Sequence, residues 1–271
     1  MYKELPGITT PNDDDILWRY MSFEKFVNML DTKTLFFTRA YKYEDPFEGY
    51  LPRWVQEVYI DSFKDHPILS YSVDCAKKID EIRHKYVMCN CWHQNEEESM
   101  AMWQQYRISN TGIAIKTTME RLKNSLKDNI EVFIGEIEYL QRSTYANRYV
   151  HKYQESKSDE KWLYLPYFHK RTCYKYENEV RLIMDADQII EHVFNNTSVE
   201  DILNNIFIKE NLPDIDNKGR TYNVDVNTLI AEIVISPYAE KWIKSTVQSV
   251  VHQYKSHIKV KQSTLLKGSY C

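Results

Sequence analysis

Glycine supply constrains this chain more than any other feature. The 271 residues include six glycines, at 7, 49, 112, 135, 219 and 268. Average usage of about 7% would give about nineteen. No two of the six are close in sequence, so no loop can bring the backbone against a phosphate through clustered glycines. This excludes a P-loop and a dinucleotide fingerprint of the Rossmann type. A nucleotide bound here must be held by side chains. Tyrosine is abundant instead, with 21 Tyr, six Trp and ten Phe. Such aromatics suit half-buried surfaces and ring stacking, and equally a Tyr-rich core.

Further exclusions follow from charge and patterning. The net charge of −4 and pI near 6.1 argue against a broad nucleic-acid footprint. No apolar run reaches the ~18 residues that span a bilayer. The start of the chain, MYKELPGITTPNDDD, is acidic and broken by Pro, unlike a leader peptide. Five cysteines, at 75, 89, 91, 173 and 271, are odd in number and scattered. A reduced, cytoplasmic protein without a disulfide framework is expected.

The hydrophobic pattern predicts a lead-in over 1–15, one α+β domain over 16–265 and a tail over 266–271. Strands are expected at 16–21, 35–38, 86–92, 112–116, 130–140, 179–184, 229–236 and 258–262. Helices are expected after Ser22 and at 52–83, 97–107, 118–126 and 238–254, the last opened by Pro237. Residues 142–165 read as helical with a loop near 156–158, and a short helix is expected near 199–205. The irregular order of elements argues against a doubly wound sheet. One α+β domain of mixed or antiparallel sheets with flanking helices is the economical reading.

Four clusters carry candidate chemistry. Cys89-Asn90-Cys91-Trp92-His93 holds zinc-ligand residue types, but no second ligand pair follows at finger spacing, so no metal is expected. His93 and Gln94 end that strand and are placed to line a pocket above it. Arg19 stands mid-strand in Leu-Trp-Arg-Tyr-Met, where a buried guanidinium needs a partner or an anion. A solvent-facing edge position is its plain alternative. Thr38 and Arg39 end the next strand, beside the 41–45 loop. Glu177 and Glu179 lie two apart at a strand start, hence on one face. Two like charges there call for cations: Arg19, Lys170 and Arg171, a cationic substrate centre, or a structural network with Lys175 and Arg181.

These stretches resemble an uncharacterised bacterial family, domain of unknown function 2971. The pieces that carry the likeness include Leu17-Trp-Arg-Tyr-Met-Ser22, Leu35-Phe-Phe-Thr-Arg-Ala40, Glu44-Asp-Pro-Phe-Glu-Gly49, Cys91-Trp-His93 and Tyr176-Glu-Asn-Glu-Val-Arg181. A second resemblance is to the ADP-ribosyltransferase superfamily. It lies in a strand with a central polar residue, an immediate helix, a second strand ending in Thr and a late strand opening with Glu. The usual Ser-Thr-Ser run is here Phe37-Thr38-Arg39. That likeness implies NAD as substrate, bound in a cleft between sheets. It casts Glu179 as the catalytic carboxylate, on the ribose 2′-hydroxyl and the developing cation, and Glu177 as the group orienting an acceptor. Arg19 would grip the pyrophosphate or ribose, and Thr38, with Arg39 beside it, the nicotinamide ribose. Tyr41 or Tyr43 would stack on nicotinamide, with His93 and Trp103 bordering the pocket. The implied function is ADP-ribosyl transfer to a protein or nucleic acid, or NAD glycohydrolysis, in a toxin or phage-defence effector.

Two other classes stay open. The cation-and-aromatic segment 161–181 fits a non-catalytic nucleotide- or nucleic-acid-binding module. The tyrosine content fits a subunit that binds a partner protein or a second copy of itself.

Overall fold

A computed structural model describes residues 1–43, 45, 47–50, 84–106, 110–141, 160–185, 219–254 and 257–267. The helices expected at 52–83 and 199–205, most of the mixed segment 142–165, the last residues of the tail, Cys75 and Cys271 lie outside the described residues.

The α+β class expected from sequence is observed, built on a large mixed sheet. β2 (Ile16–Met21) is apolar on both faces. Strand alternation sends Leu17 and Met21 one way and Trp18 and Tyr20 the other. α1 (Phe23–Thr32) follows Ser22 and ends at Lys33, which takes a left-handed conformation at φ 54°. The chain then returns as β3 (Thr34–Arg39). The remaining strands are β1 (Tyr2–Lys3), β4 (Met88–Gln94), β5 (Ile113–Thr118), β6 (Val132–Glu136), β7 (Glu138–Leu140), β8 (His169–Arg171), β9 (Glu179–Met184), β10 (Arg220–Asn223), β11 (Glu232–Ile235) and β12 (Lys259–Gln262). Four further helices are α2 (Met100–Gln105), α3 (Met119–Ser125), α4 (Val226–Leu229) and α5 (Lys241–Gln253).

Ten strands form one sheet in the order β1-β6-β9-β4-β2-β5-β11-β12, with β3 and β10 branching from β4. Its pairs are antiparallel except β1 with β6 and β11 with β12. β7 and β8 make a separate parallel pair. Each face is covered. Leu17, Met21, Ile113, Ile115, Ile233 and Ile235 join the larger core with Phe26 and Leu30 of α1, Leu122 of α3 and Val247 of α5. On the opposite face, Trp18, Tyr20, Ala114 and Val234 pack with Met102 and Trp103 of α2.

The branch at β4 makes the cleft. One edge of β4 pairs with β9 along its length, from Met88↔Met184 to His93↔Glu179. The other edge changes partner. Met88 and Cys89 pair with β3, and His93 and Gln94 pair with β2. Asn90, Cys91 and Trp92 lie between the two ladders. Side chains span the gap there: Asn90 Nδ2 donates to the Phe36 carbonyl at 2.9 Å and Trp92 Nε1 donates to Asn90 Oδ1 at 2.7 Å.

Several expected boundaries shift for identifiable reasons. The strand expected over 130–140 is two. β9 begins at Glu179, preceded by Asn178 at φ 37°. Past Glu136 the ladder therefore has no partner strand to follow. Ile137 N–H closes it on the Glu179 carbonyl at 2.8 Å, and β7 turns away to β8. Pro237 does not open α5. It sits in a turn in which Ala239 N–H bonds the Ser236 carbonyl, and the helix starts at Lys241. Leu229 ends α4, which Asp225 caps, rather than opening a strand. Residues 1–15, expected as a lead-in, contribute β1, with Tyr2↔Val132 and Lys3↔Phe133 in register, and the buried Leu5. Gly219 is where glycine is required: its φ is 120°, and a Cβ there would lie 2.2 Å from the Phe37 carbonyl oxygen. Replacing Gly219 with Ala is therefore expected to loosen β10 from β3 and cost roughly 2–4 kcal/mol, seen as a lowered midpoint in thermal denaturation.

Candidate functional site

The gap in β4 opens into a cavity of about 630 Å³, within the roughly 300–1,000 Å³ range of small-molecule sites. Of the nine residues singled out in the sequence, Arg19, Thr38, Tyr43, His93, Glu177 and Glu179 line it. Arg39, Tyr41 and Trp103 are not among its lining residues. Arg39 follows Thr38 on the strand and so points the opposite way, buried, with Nη1 donating to the Lys85 carbonyl at 2.6 Å. Tyr41 belongs to the 3₁₀ turn Ala40–Lys42 and is half-exposed beside the Lys42 ammonium. Trp103 stands one layer behind the wall. Its ring meets Tyr20 edge-on at 4.9 Å, and its Nε1 donates to Glu98.

One wall is a buried charge cluster. Arg181 has no exposed surface. Its Nε donates to Glu179 Oε1 at 2.7 Å and its Nη2 to Glu179 Oε2 at 3.0 Å. Nη2 also reaches Glu48 Oε2 at 2.8 Å, and Nη1 the Tyr167 carbonyl at 2.7 Å. The Tyr43 ring lies 4.8 Å from the guanidinium, so one face of that tyrosine is already covered. Lys170, from β8, ion-pairs with Glu177, with Glu48 at 3.2 Å and with Glu179 at 3.3 Å. Arg171 points away and pairs with Asp45 at 3.0 Å. The cations that answer Glu177 and Glu179 are thus Lys170 and Arg181, not Arg19 or Arg171. Arg181 was legible as a same-face neighbour two residues from Glu179. Glu48, distant in sequence, carried no such signal.

The two glutamates differ in environment. Burial works against the charge of Glu179, but Arg181 and Lys170 outweigh it and hold the carboxyl at about 2. Burial dominates at Glu177 and raises its pKa, although Lys170 opposes the rise. Lys170 is raised: burial disfavours its ammonium, and Glu179, Glu48 and Glu177 overcome that. Burial pushes the Cys89 thiol up to about 12 and raises Cys91 as well, so both are protonated and inert. Among the described residues no group of three or more His, Cys, Asp and Glu is placed to hold a metal ion.

Two other lining residues have polar atoms that are less well served. Arg19 Nη2 donates to the Phe36 carbonyl at 3.3 Å, and its guanidinium lies 5.8 Å from the Trp92 ring centroid. Its Nη1 is buried with no hydrogen-bond partner, and burial lowers the pKa of the group. His93, 4% exposed, bonds through Nδ1 to the Glu177 carbonyl while its Nε2 is buried without a partner. Both orphaned atoms belong to residues that line the cavity. Buried polar groups are normally satisfied, so these two atoms are exceptions.

No protein-family model, curated protein or solved structure matches the chain.

Two stability measurements probe the charged wall. Arg181→Met leaves Glu48 and Glu179 buried without their main cation and is expected to cost about 3–5 kcal/mol in urea denaturation. Glu179→Gln is expected to be destabilising at pH 7. The Glu179 carboxyl titrates at about 2 in the fold against an ordinary value of 4.5, so the wild-type advantage is full above about pH 5 and fades as the pH falls toward 2. A gap between the two chains that is as large at pH 3 as at pH 7 would contradict this pairing.

Proposed function

We propose that this chain binds NAD in the β4 cleft and breaks its nicotinamide–ribose bond, passing ADP-ribose to a macromolecule or to water. The observation that carries the reading is the charge arrangement of the cavity. At one end Arg19 is half-buried, with Nη1 unpartnered, and makes no ion pair among the described residues. At the other, Glu177 and Glu179 line the cavity with Lys170 and Arg181, and Glu48, not itself a lining residue, pairs with both of those cations. A ligand with an anionic linkage and a cationic ring is complementary to both ends, and NAD is such a ligand. The absence of clustered glycine is no obstacle, because Arg19 offers its donors through a side chain. The resemblance to the ADP-ribosyltransferase superfamily supports the same reading, as does a cleft opened where a strand changes partner.

In this reading the C1′–N bond breaks heterolytically. The electron pair leaves with nicotinamide, and the ribose carries oxocarbenium character. Glu179 is ionised at all ordinary pH values and supplies fixed negative charge beside that cation. Its lone pairs are engaged by Arg181 and Lys170, so proton transfer falls to Glu177. That carboxylate has a raised pKa and takes the proton of the incoming hydroxyl as the new C1′–O bond forms. Thr38 and Tyr43, both of which line the cavity, hold the nicotinamide riboside in this reading.

A second reading has its own observation. Because Arg181 and Lys170 compensate Glu179 so fully, the same cavity can hold a nucleotide without turning it over. Incubation with NAD labelled in the nicotinamide and the adenosine separates the two. Turnover releases free nicotinamide and places adenosine label on protein, nucleic acid or free ADP-ribose. Binding alone releases nothing. Glu177→Gln is expected to keep NAD binding and lose nicotinamide release. Arg19→Met is expected to weaken binding by roughly tenfold or more, because a charge-assisted contact is removed. Wild-type NAD binding with no release would select the second reading. No measurable NAD binding would overturn both.

A further inference from the structure

The likeness to ADP-ribosyltransferases gives the ribose hydroxyl to Glu179, and the geometry of Glu179 argues against that. Its Oε1 accepts from Arg181 Nε, and its Oε2 accepts from both Arg181 Nη2 and Lys170 Nζ. The Cys91 thiol adds a further hydrogen bond that favours the charged form. A carboxylate has about four lone-pair sites, and nearly all are taken here.

Directly across the ladder stands His93, the register partner of Glu179. A backbone carbonyl can only accept, so the bond between His93 Nδ1 and the Glu177 carbonyl puts the hydrogen on Nδ1. Burial lowers the pKa of the imidazole. The ring is therefore neutral at neutral pH, and Nε2 carries a bare lone pair. That atom is buried and has no donor among the described residues, and the residue that carries it lines the cavity. A buried acceptor of this kind costs free energy until a donor arrives. The surrounding groups fix which donor fits. Glu177 and Glu179 favour the cationic end of a ligand nearby, and the group bonded to that end in NAD is a ribose with two hydroxyls.

We propose that His93 Nε2 is the acceptor for a hydroxyl of the nicotinamide-side ribose, so that the cavity selects a hydroxyl-bearing sugar over its deoxy counterpart. This rests on the reading of the cleft as an NAD site. The main chain of Glu177 sets the tautomer, and the neutral imidazole does the selecting. A site built around an unpaired acceptor rejects a ligand that leaves it empty far more strongly than it rejects a change in apolar size.

The test is calorimetric titration of the full chain with three probes: NAD, NAD lacking the 2′- or 3′-hydroxyl on the nicotinamide ribose, and NAD lacking the same hydroxyl on the adenosine ribose. The wild-type chain is expected to bind NAD roughly ten- to a hundredfold more tightly than at least one nicotinamide-side deoxy analogue, with little preference against the adenosine-side one. His93→Asn keeps an amide that can donate to the Glu177 carbonyl and removes the Nε2 acceptor. It is expected to melt close to wild type and to lose most of the preference. His93→Gln, which carries a polar atom out to the Nε2 position, is expected to recover part of it. Nitrogen-15 spectra should show Nε2 of His93 unprotonated in the free chain and shifted when NAD is added. NAD binding with no hydroxyl preference, a preference on the adenosine side, or a full preference kept by His93→Asn would each overturn the assignment to His93 while leaving the NAD site standing. Failure of the wild-type chain to bind any of the three probes would overturn the NAD reading itself, and this assignment with it.

Discussion

Arg181 places a permanent positive charge where no solvent reaches, and the surroundings of the cleft are arranged to answer it. A guanidinium cannot shed its proton, so it must find acceptors in the plane of its fork. One carboxylate comes from its own strand, Glu179 at two residues' distance. The others must be fetched. Glu48 arrives from the segment after β3, and the Tyr167 carbonyl from the 3₁₀ stretch that precedes β8. Two connections remote in sequence are thereby drawn against β9. The same requirement brings Lys170 into the cluster, since a second cation is needed once Glu48, Glu177 and Glu179 are gathered together. Removing water from such a cluster is expensive, and replacing it with apolar side chains would often be no less stable. Its persistence is easier to understand if the field it projects into the cavity is useful.

The fork of β4 supplies the space into which that field acts. A strand that keeps one neighbour along its full length gives a closed sheet. β4 keeps β9 on one edge and exchanges β3 for β2 on the other, leaving Asn90, Cys91 and Trp92 without strand partners there. Backbone groups exposed in this way must be met by something else. Asn90 and Arg19 both reach the Phe36 carbonyl, which shows the chain repairing one of the unpaired acceptors with side chains. The cavity is therefore a consequence of topology, and the residues that line it include those recruited to hold the fork open.

The strands at 16–21 and 179–184 were legible because their apolar patterns are bounded by clear stops, and the structure places both at those limits. The strand ends that misled are those set by a partner far away in sequence. Nothing local in 130–140 announces that β9 starts at Glu179 and that the ladder must stop at Glu136. β1 and β10 are short, with mixed polarity, and exist because an edge of β6 and an edge of β3 were available to them. The site follows the same division. Arg19 and the Glu177–Glu179 pair stood out because charge in an apolar strand, or doubled on one face, requires explanation. Trp103 was misplaced by one layer because an aromatic on an amphipathic helix cannot tell whether it is the wall or the support of the wall. Arg39 was misplaced because alternation from Thr38 already sends it to the opposite face. That inference was available in the pattern and was outweighed by its position at the loop.

The pairing of each carboxylate decides what it can do, and here it divides labour between residues that look equivalent in the sequence. Glu179 is held by two cations and cannot change its protonation state under ordinary conditions, so it acts on a ligand only as fixed charge. That charge is partly cancelled by the groups that secure it. Glu177 has one cation, and burial raises its pKa where that of Glu179 is lowered. Its main-chain carbonyl meanwhile sets the tautomer of His93, whose side chain faces the same space. One residue thus bears on two distinct polar functions, through its carboxyl and through its backbone. The αL turn at Asn178 that follows it fixes both, because it carries the chain from the 3₁₀ turn Thr172–Glu177 into β9 with the Glu177 carbonyl pointing toward β4. The tight geometry of that turn, more than the acidity of either glutamate, holds the Glu177 carbonyl against the His93 ring at the end of the cleft.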